Sequence, residues 1–206
     1  MIMLDLLRHG ETELGHTLRG STDDALTVKG WQDMQQTLNT AIATGQRWDV
    51  VASSPLQRCL QVAQTFAQAQ QLPLYIDAQF QEMHFGEWEA ISTQALYEQY
   101  PEDLAKFWIT PTQFAPPQAA SLLNFQPRVL QGLSDLNQYL QQLEQQPKRV
   151  LLVTHGGVIK LLKVLAQKHP LDDILKMSAA LGQLSSFQLH PNGKIGMQGQ
   201  DRKSVV

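Results

Sequence analysis

The sequence contains very little cysteine, and its only thiol belongs to Cys59. A single cysteine cannot form an internal disulfide, which favours a reducing compartment such as the cytoplasm. Long apolar runs are also missing, because no stretch approaches the roughly 18 residues that a membrane-spanning helix needs. The start, from Met1 to Arg8, lacks the basic region and the long apolar core of a signal peptide. We therefore expect a cytoplasmic protein without a membrane partner.

An excess of positive charge and the spacing of metal ligands are absent as well. The 206 residues carry a formal net charge of -3, and the pI is near 6.0; proteins that bind nucleic acid are usually basic. No spacing of histidine, cysteine and aspartate matches a zinc or iron site. We therefore expect no nucleic-acid partner, no metal and no cofactor. The sequence leaves open whether the chain is a monomer or a homodimer.

The sequence does have a regular alternation of strand-like and helix-like apolar patterns. With 43% hydrophobic residues, its length fits one domain, residues 1–206, with a full-sized core. Predicted strands are Ile2–Leu7, Asp49–Ser53, Leu74–Ile76, Arg149–Thr154 and two near Ser185 and Ile195. Predicted helices run from a Thr27 cap to about Ala43, from a Ser54 cap with Pro55 in the first turn, over about 121–145, from Gly156 to Leu165, and near 171–177. This alternation predicts an α/β sheet covered by helices on both faces.

Residues 77–120 interrupt the alternation, because they contain the helix breakers Pro101, Pro111, Pro116 and Pro117. They predict an insertion of mixed helix and loop. The helix after Ser54-Pro55 is expected to bury one face, formed by Leu56, Leu60, Ala63 and Ala67.

Basic and imidazole side chains follow the ends of three predicted strands. Arg8 and His9 come directly after the first strand, and His155 and Gly156 follow the fourth. Arg58 lies in the first turns of the helix after the second strand. Ligands of open α/β sheets bind beyond the carboxyl ends of the strands, so we expect these groups to converge on one region.

A site built from these groups suits a phosphomonoester, which carries nearly two negative charges at pH 7. The planar guanidinium groups of Arg8 and Arg58 match phosphate oxygens, and the Gly156 N–H at a helix N-terminus is a further anion donor. His9 is the predicted nucleophile toward phosphorus if its attacking nitrogen is neutral. His155 is expected to donate to an equatorial oxygen, more strongly if protonated. The sequence therefore predicts phosphoryl transfer from a small phosphorylated substrate to His9.

The leaving alkoxide needs a proton, and Glu82 is the predicted donor. The apolar neighbours Met83, Phe85 and Trp88 would withdraw it from water and favour the protonated acid. The resulting carboxylate would then act as a base on water in the hydrolysis step. The same stretch holds two alternative acids, Glu87 and Glu89.

Taken as a set, these motifs resemble the signature of the histidine phosphatase superfamily, the phosphoglycerate mutase-like group. The resemblance runs in the family's order through residues 7–12, 19–20, 23, 26–27, 30, 53–58, 82–89 and 154–157. It implies a three-layer α/β/α sandwich with a mostly parallel central sheet, and a phosphohistidine intermediate on His9. It also implies a phosphate pocket of Arg8, Arg58 and His155, with Glu82 as proton donor. Further implied contacts to phosphate or substrate are Thr12, Gly20 and Ser21.

Arg19 has two interpretations, as a second phosphate contact or as a solvated loop arginine. Within the superfamily the chain is most similar to the alpha-ribazole phosphatases of cobalamin nucleotide-loop assembly, by its length and by residues 80–89. That similarity implies hydrolysis of alpha-ribazole 5'-phosphate. The alternatives are a broad-specificity small-molecule phosphatase, a phosphoglycerate mutase and a non-catalytic protein that binds a phosphorylated ligand.

Two positions depart from the pattern of many relatives. Gly15 stands where they have an asparagine, and Ala120 stands where they have a glutamate at the pocket rim. Both positions bear on the choice of substrate, and neither belongs to the groups expected to transfer the phosphoryl group.

Overall fold

A six-stranded sheet forms the centre of the fold in the computed structural model, which describes residues 1–191 and 194–197. The strands are β1 (Ile2–Arg8), β2 (Val50–Ser53), β3 (Leu74–Ile76), β4 (Arg149–Thr154), β5 (Leu184–Leu189) and β6 (Ile195–Met197). Their order across the sheet is β3-β2-β4-β1-β5-β6. The first four strands pair in parallel, and β5 and β6 are antiparallel additions at one edge. The predicted mostly parallel sheet is therefore confirmed.

Helices cover both faces of this sheet. They are α1 (Val28–Ala43), α2 (Gln57–Gln70), α3 (Thr93–Gln99), α4 (Pro101–Ile109), α5 (Leu122–Gln141) and α6 (Gly156–Gln167). Because alternate strand residues point to opposite faces, each strand supplies two cores. The core beneath α1 and α2 contains Leu7, Val51 and Val153. The core beneath α5 and α6 contains Leu6, Ala52 and Leu152. The result is the expected three-layer α/β/α sandwich.

Helix ends follow the predicted caps in α1 but fall short of the prediction in α5. The Thr27 hydroxyl accepts a hydrogen bond from the Gly30 N–H at 2.9 Å, which fixes the start of α1. The fifth helix ends at Gln141, whereas the periodicity predicted about residue 145. The chain beyond Gln141 has to turn back toward the sheet to begin β4, and this ends the helix early.

The predicted start of α2 was wrong. The structure places the N-cap at Leu56, and neither Ser54 nor Pro55 belongs to the helix. The Ser54 hydroxyl instead lies 2.8 Å from Nε2 of His155, so it is engaged at the end of β4. Of the predicted buried face, Leu56, Ala63 and Ala67 are buried, whereas Leu60 is only partly buried. Cys59, Val62 and Phe66 complete the buried face of the helix.

Residues 77–120 form the expected mixture of helix and loop. They contain α3, α4 and the 3-10 turns Ala78–Phe80 and Gly86–Trp88. Trp88, Leu104 and Phe107 from this segment are buried in the core beneath α5 and α6. The segment therefore packs onto the face of the sheet that α5 and α6 cover.

In the described ranges, every helix is too short or too polar to cross a bilayer.

Candidate active site

The three strand ends that were expected to converge belong to neighbouring strands. β4 lies between β2 and β1, and Arg8 of β1 is opposite Thr154 of β4 in the parallel register. The His9 N–H donates to the Thr154 carbonyl at 3.0 Å. His155 follows directly, and its ring meets the His9 ring edge to face with 5.3 Å between centroids. The sheet topology therefore brings both histidines together, as predicted.

His9 is held as a neutral imidazole with one nitrogen available. Its Nδ1 lies 2.9 Å from the Gly10 carbonyl, which can only accept, so Nδ1 carries the proton and Nε2 carries the lone pair. Only 5% of the residue is exposed. Burial, and then the positive charge of Arg58, lower the pKa of His9 to about 3. At neutral pH this side chain has the protonation state that a nucleophile requires.

His155 lies behind His9 with no exposed surface. Burial and then the charge of Arg58 hold the pKa of His155 well below its ordinary value. The ring is therefore neutral, not protonated, in this arrangement. With Nε2 at 2.8 Å from the Ser54 hydroxyl, His155 links the ends of β4 and β2 and packs against His9.

Two guanidinium groups leave unpaired donors in this region. Arg58 is fully buried and donates to the carbonyls of Thr22 at 2.6 Å and Gly20 at 2.9 Å. Arg8 donates to the Ala179 carbonyl. Among residues 1–191 and 194–197, the buried Nε–H groups of Arg8 and Arg58 find no acceptor. A buried donor without a partner costs about 1–3 kcal/mol, so both groups are suited to an incoming anion.

A cavity of about 180 Å³ is lined by Arg8 and His9, whereas Arg58 and His155 are not among its lining residues. Its polar lining residues include Arg8, His9, Arg19, Glu82, Gly156 and Lys160. Its apolar and aromatic lining residues include Phe85, Leu104, Phe107, Trp108, Leu122 and Phe125. Such a lining suits a ligand that has both an anionic group and a flat apolar body.

Glu82 is the carboxylate that lines this cavity. Its Oε2 accepts from the Gly157 N–H at 2.8 Å and its Oε1 from the Met83 N–H at 2.9 Å. A Cβ added at Gly157 would lie 2.1 Å from Oε1, so the absence of a side chain there makes room for the carboxylate. Of the apolar neighbours expected around Glu82, Met83 and Phe85 line the cavity. Trp88 instead packs against Tyr100, Phe107 and Phe114.

The two alternative acids have other roles. Glu87 is exposed and accepts a hydrogen bond from the Gln118 amide at 3.1 Å. Glu89 accepts from the N–H groups of Gly20, Ser21, Thr22 and Phe85, with 2.8 Å to the last. Burial alone would raise the pKa of Glu89, but the hydrogen bonds from Phe85, Thr22 and Gly20 outweigh it and lower the pKa. Glu89 therefore stays ionised and ties the loop of residues 20–22 to the segment that carries Glu82.

Several predicted binding positions do not line the cavity. Gly20 gives its N–H to Glu89 and its carbonyl to Arg58. Ser21 is exposed, and its hydroxyl lies 2.7 Å from Nδ1 of His84. Thr12 is buried, and its hydroxyl has no partner within the described part of the chain. Gly20 thus supports the anion site by holding Arg58.

Arg19 does line the cavity, and its guanidinium forms an ion pair with Asp24 at 3.2 Å. Asp24 also lies 3.5 Å from the Arg58 guanidinium, so one buried carboxylate anchors both arginines. Sequence reasoning missed Asp24. It also missed Lys160, which lines the cavity and forms no hydrogen bond or ion pair with the described residues. Burial, and then the charge of Arg8, lower the pKa of Lys160. Lys160 lies one helical turn after Gly156, and this spacing places both residues on the same face of the helix. The spacing could therefore have identified Lys160 from the sequence.

The two departures from the family pattern lie away from the cavity walls. Gly15 has a φ of 62°, and a Cβ there would meet nothing within 4 Å. The Ala120 N–H donates to the His84 carbonyl at 3.0 Å. In the described ranges, no group of three or more His, Cys, Asp or Glu side chains is placed to hold a metal ion.

Comparison with known proteins places these observations in a family. The model of the histidine phosphatase superfamily (branch 1) matches residues 4–198. The bifunctional protein Rv2228c of Mycobacterium tuberculosis is 30% identical over 190 residues, covering 91% of this chain and 50% of that protein. The adenosylcobalamin/alpha-ribazole phosphatase of Salmonella typhimurium is 31% identical over 160 residues, covering 76% of this chain and 75% of that one. The structure of Bacillus stearothermophilus YhfR has a TM-score of 0.83 and is 25% identical, covering 99% of this chain and 98% of that one. This chain spans about half the length of the mycobacterial relatives that it matches.

Proposed function

The chain belongs to the histidine phosphatase superfamily, and from this premise we propose that it hydrolyses a phosphomonoester through a phosphohistidine on His9. The main support is the pairing of a neutral, buried His9 with two buried guanidinium Nε–H groups that have no acceptor in the described structure. The first group is a nucleophile, and the other two are donors suited to a phosphate. All three lie at the carboxyl ends of the central strands.

In the first step of the proposed reaction, phosphate oxygens accept from Arg8, Arg58 and the Gly156 N–H. The His9 Nε2 lone pair forms a bond to phosphorus, and the bond from phosphorus to the alcohol oxygen breaks. The imidazole becomes positively charged, and the Gly10 carbonyl on Nδ1–H stabilises that charge. The departing oxygen takes a proton from Glu82, which is the one carboxyl group among the lining residues of the cavity.

In the second step, the Glu82 carboxylate takes a proton from water, and the oxygen of that water attacks phosphorus. The bond between phosphorus and Nε2 breaks, and the electron pair returns to His9. Inorganic phosphate leaves, and both side chains regain their starting protonation states. Positioning and charge stabilisation supply most of the rate enhancement in such transfers.

For the substrate we propose alpha-ribazole 5'-phosphate. Its benzimidazole is flat and apolar, which matches the aromatic lining residues Phe107, Trp108 and Phe125. The similarity to the Salmonella alpha-ribazole phosphatase supports the same substrate. A phosphosugar or a short phosphorylated acid would leave these aromatic walls without a partner.

A substrate panel tests this proposal. The kcat/KM for alpha-ribazole 5'-phosphate should exceed the values for sugar phosphates and nucleotides by at least about 10-fold, the worth of roughly 1.4 kcal/mol of differential binding. Trp108→Ala should reduce this advantage, because Trp108 lines the cavity. Tyr97→Ala is the matched control, since Tyr97 is 66% exposed and is not a cavity-lining residue. Equal efficiency across the panel would refute the substrate and leave a broad-specificity phosphatase.

The phosphohistidine is tested separately. His9→Ala should abolish both hydrolysis and a radiolabelled phosphoenzyme. Hydrolysis that survives this change would refute His9 as the nucleophile. Exchange between 3-phosphoglycerate and 2-phosphoglycerate in place of hydrolysis would indicate a mutase.

A further inference from the structure

Arg128, in the second turn of α5, makes an unusual set of contacts with the segment that carries Glu82. One terminal nitrogen of its guanidinium donates to the carbonyls of Ala78 at 3.1 Å and Gln79 at 2.9 Å. The other donates to the carbonyls of Gln81 at 2.9 Å and Glu82 at 3.0 Å. A single side chain thus holds four carbonyls within a stretch of five residues.

That stretch has little other regular support. It leaves the sheet after β3, passes through one 3-10 turn and reaches Glu82 in extended chain. Besides the hydrogen bonds of the turn itself, the Phe80 carbonyl accepts from the Thr154 hydroxyl at 2.9 Å, which ties the stretch to the end of β4. Arg128 ties the next two residues, including Glu82 itself, to α5.

The same guanidinium also packs against an aromatic residue that lines the cavity. Its central carbon lies 5.0 Å from the centre of the Phe125 ring, which is one of the aromatic walls. Burial lowers the pKa of Arg128, and the Glu82 charge partly offsets this, so the two charges are close enough to interact. Arg128 itself does not line the cavity.

We propose that Arg128 is a positioning residue, which holds the Glu82 main chain so that the carboxylate meets the oxygen of the leaving alcohol. This inference rests on the proposed function of Glu82 as the acid. The two hydrogen bonds to the Glu82 side chain fix the direction of the carboxylate, but they cannot fix the main chain behind it. A displacement of about 1 Å at a reacting group is enough to cost on the order of 100-fold in rate.

The test compares two substrates that differ in their need for an acid. An alkyl phosphate has a poor leaving group and requires proton donation, whereas p-nitrophenyl phosphate hardly does. Glu82→Gln is the reference and should slow the alkyl substrate far more than the nitrophenyl one. Arg128→Gln should reproduce this pattern, with kcat on the alkyl phosphate reduced about 10- to 100-fold and kcat on p-nitrophenyl phosphate changed less than about 3-fold. Arg128→Lys keeps the charge and some of the donors, so kcat on the alkyl phosphate should be reduced less than in Arg128→Gln.

Arg47→Gln is the matched control. Arg47 also donates to main-chain carbonyls, those of Ile42 and Gln46, but at the end of α1 and away from the cavity. Arg47→Gln should leave kcat unchanged on both substrates. Circular dichroism and thermal unfolding of each variant establish that it is folded. If Arg128→Gln does not fold, kcat on the two substrates is compared in Arg128→Lys instead.

The possible failures are distinguishable. If Arg128→Gln slows both substrates equally, or neither, while Glu82→Gln keeps its preference for the alkyl substrate, the positioning role is refuted and the acid role stands. If Glu82→Gln itself shows no such preference, Glu82 is not the acid and the inference about Arg128 falls with it. If only His9→Ala abolishes turnover, the phosphatase stands without either role.

Discussion

The low pKa of His9 predicts a specific loss of stability in mild acid. In the folded protein the pKa is lowered to about 3, whereas an unfolded chain has the ordinary value of 6.5. Between these values the unfolded chain binds a proton that the folded protein does not. Stability therefore falls as the pH drops below 6.5, and the loss continues down to about pH 3.

The size of the effect follows from the two pKa values. Each pH unit below 6.5 costs about 1.4 kcal/mol for one such group, so the step from pH 7.5 to pH 5.0 costs roughly 2 kcal/mol. Replacing His9 with asparagine removes this titration and keeps an N–H that can donate to the Gly10 carbonyl. Groups far from residue 9 titrate in both proteins, and their contributions largely cancel in the difference.

Urea unfolding at the two pH values measures this difference. The wild-type protein should lose about 2 kcal/mol more than His9→Asn between pH 7.5 and pH 5.0. Equal losses in the two proteins would refute the argument, as would an NMR titration that gives His9 an ordinary pKa. In the same range, phosphatase activity should show no decline caused by protonation of His9, because the nucleophile stays neutral throughout.

Two further variants probe the anion site. Glu89→Gln should weaken inhibition by inorganic phosphate about 10-fold, because it loosens the loop of residues 20–22 whose carbonyls hold Arg58, and it should leave the preference between good and poor leaving groups unchanged. A changed preference would contradict this role. Lys160→Met should also weaken phosphate inhibition by about 5- to 10-fold through the loss of an unpaired cation that lines the cavity. Lys163→Met, on the same helix as Lys160, is its control, since the Lys163 ammonium donates to the Ser178 carbonyl; equal effects of the two lysine changes would contradict a specific contact.

The fold could be predicted largely because its signals are local. Buried strands such as Arg149–Thr154 show continuous apolar character, and Thr27 caps its helix with its own side chain. The convergence of Arg8, His9 and His155 followed from a general rule about strand ends, not from any distance. These inferences depended on patterns within a few residues and on the parallel arrangement of the sheet.

The details that escaped prediction depend on contacts between distant parts of the chain. Ser54 would cap a helix in isolation, but a histidine 101 residues later engages its hydroxyl. Glu89 was an alternative acid by its position near Glu82, and only the loop at residues 20–22 shows that its oxygens accept from main-chain donors. The apolar neighbours Met83 and Phe85 favoured Glu82, which lines the cavity, but the partners of Glu87 and Glu89 lie too far along the chain for a local pattern to reveal them.

The lack of a side chain at Gly157 has a consequence for other sequences with the same fold. Since a Cβ there would lie 2.1 Å from the Glu82 carboxylate, a larger residue at the corresponding position of a homologue would push the carboxylate out of the orientation seen here. The N–H of that position would then no longer hold the acid in place. A residue with a side chain in the second place after the histidine therefore marks homologues whose proton donor is held in another way.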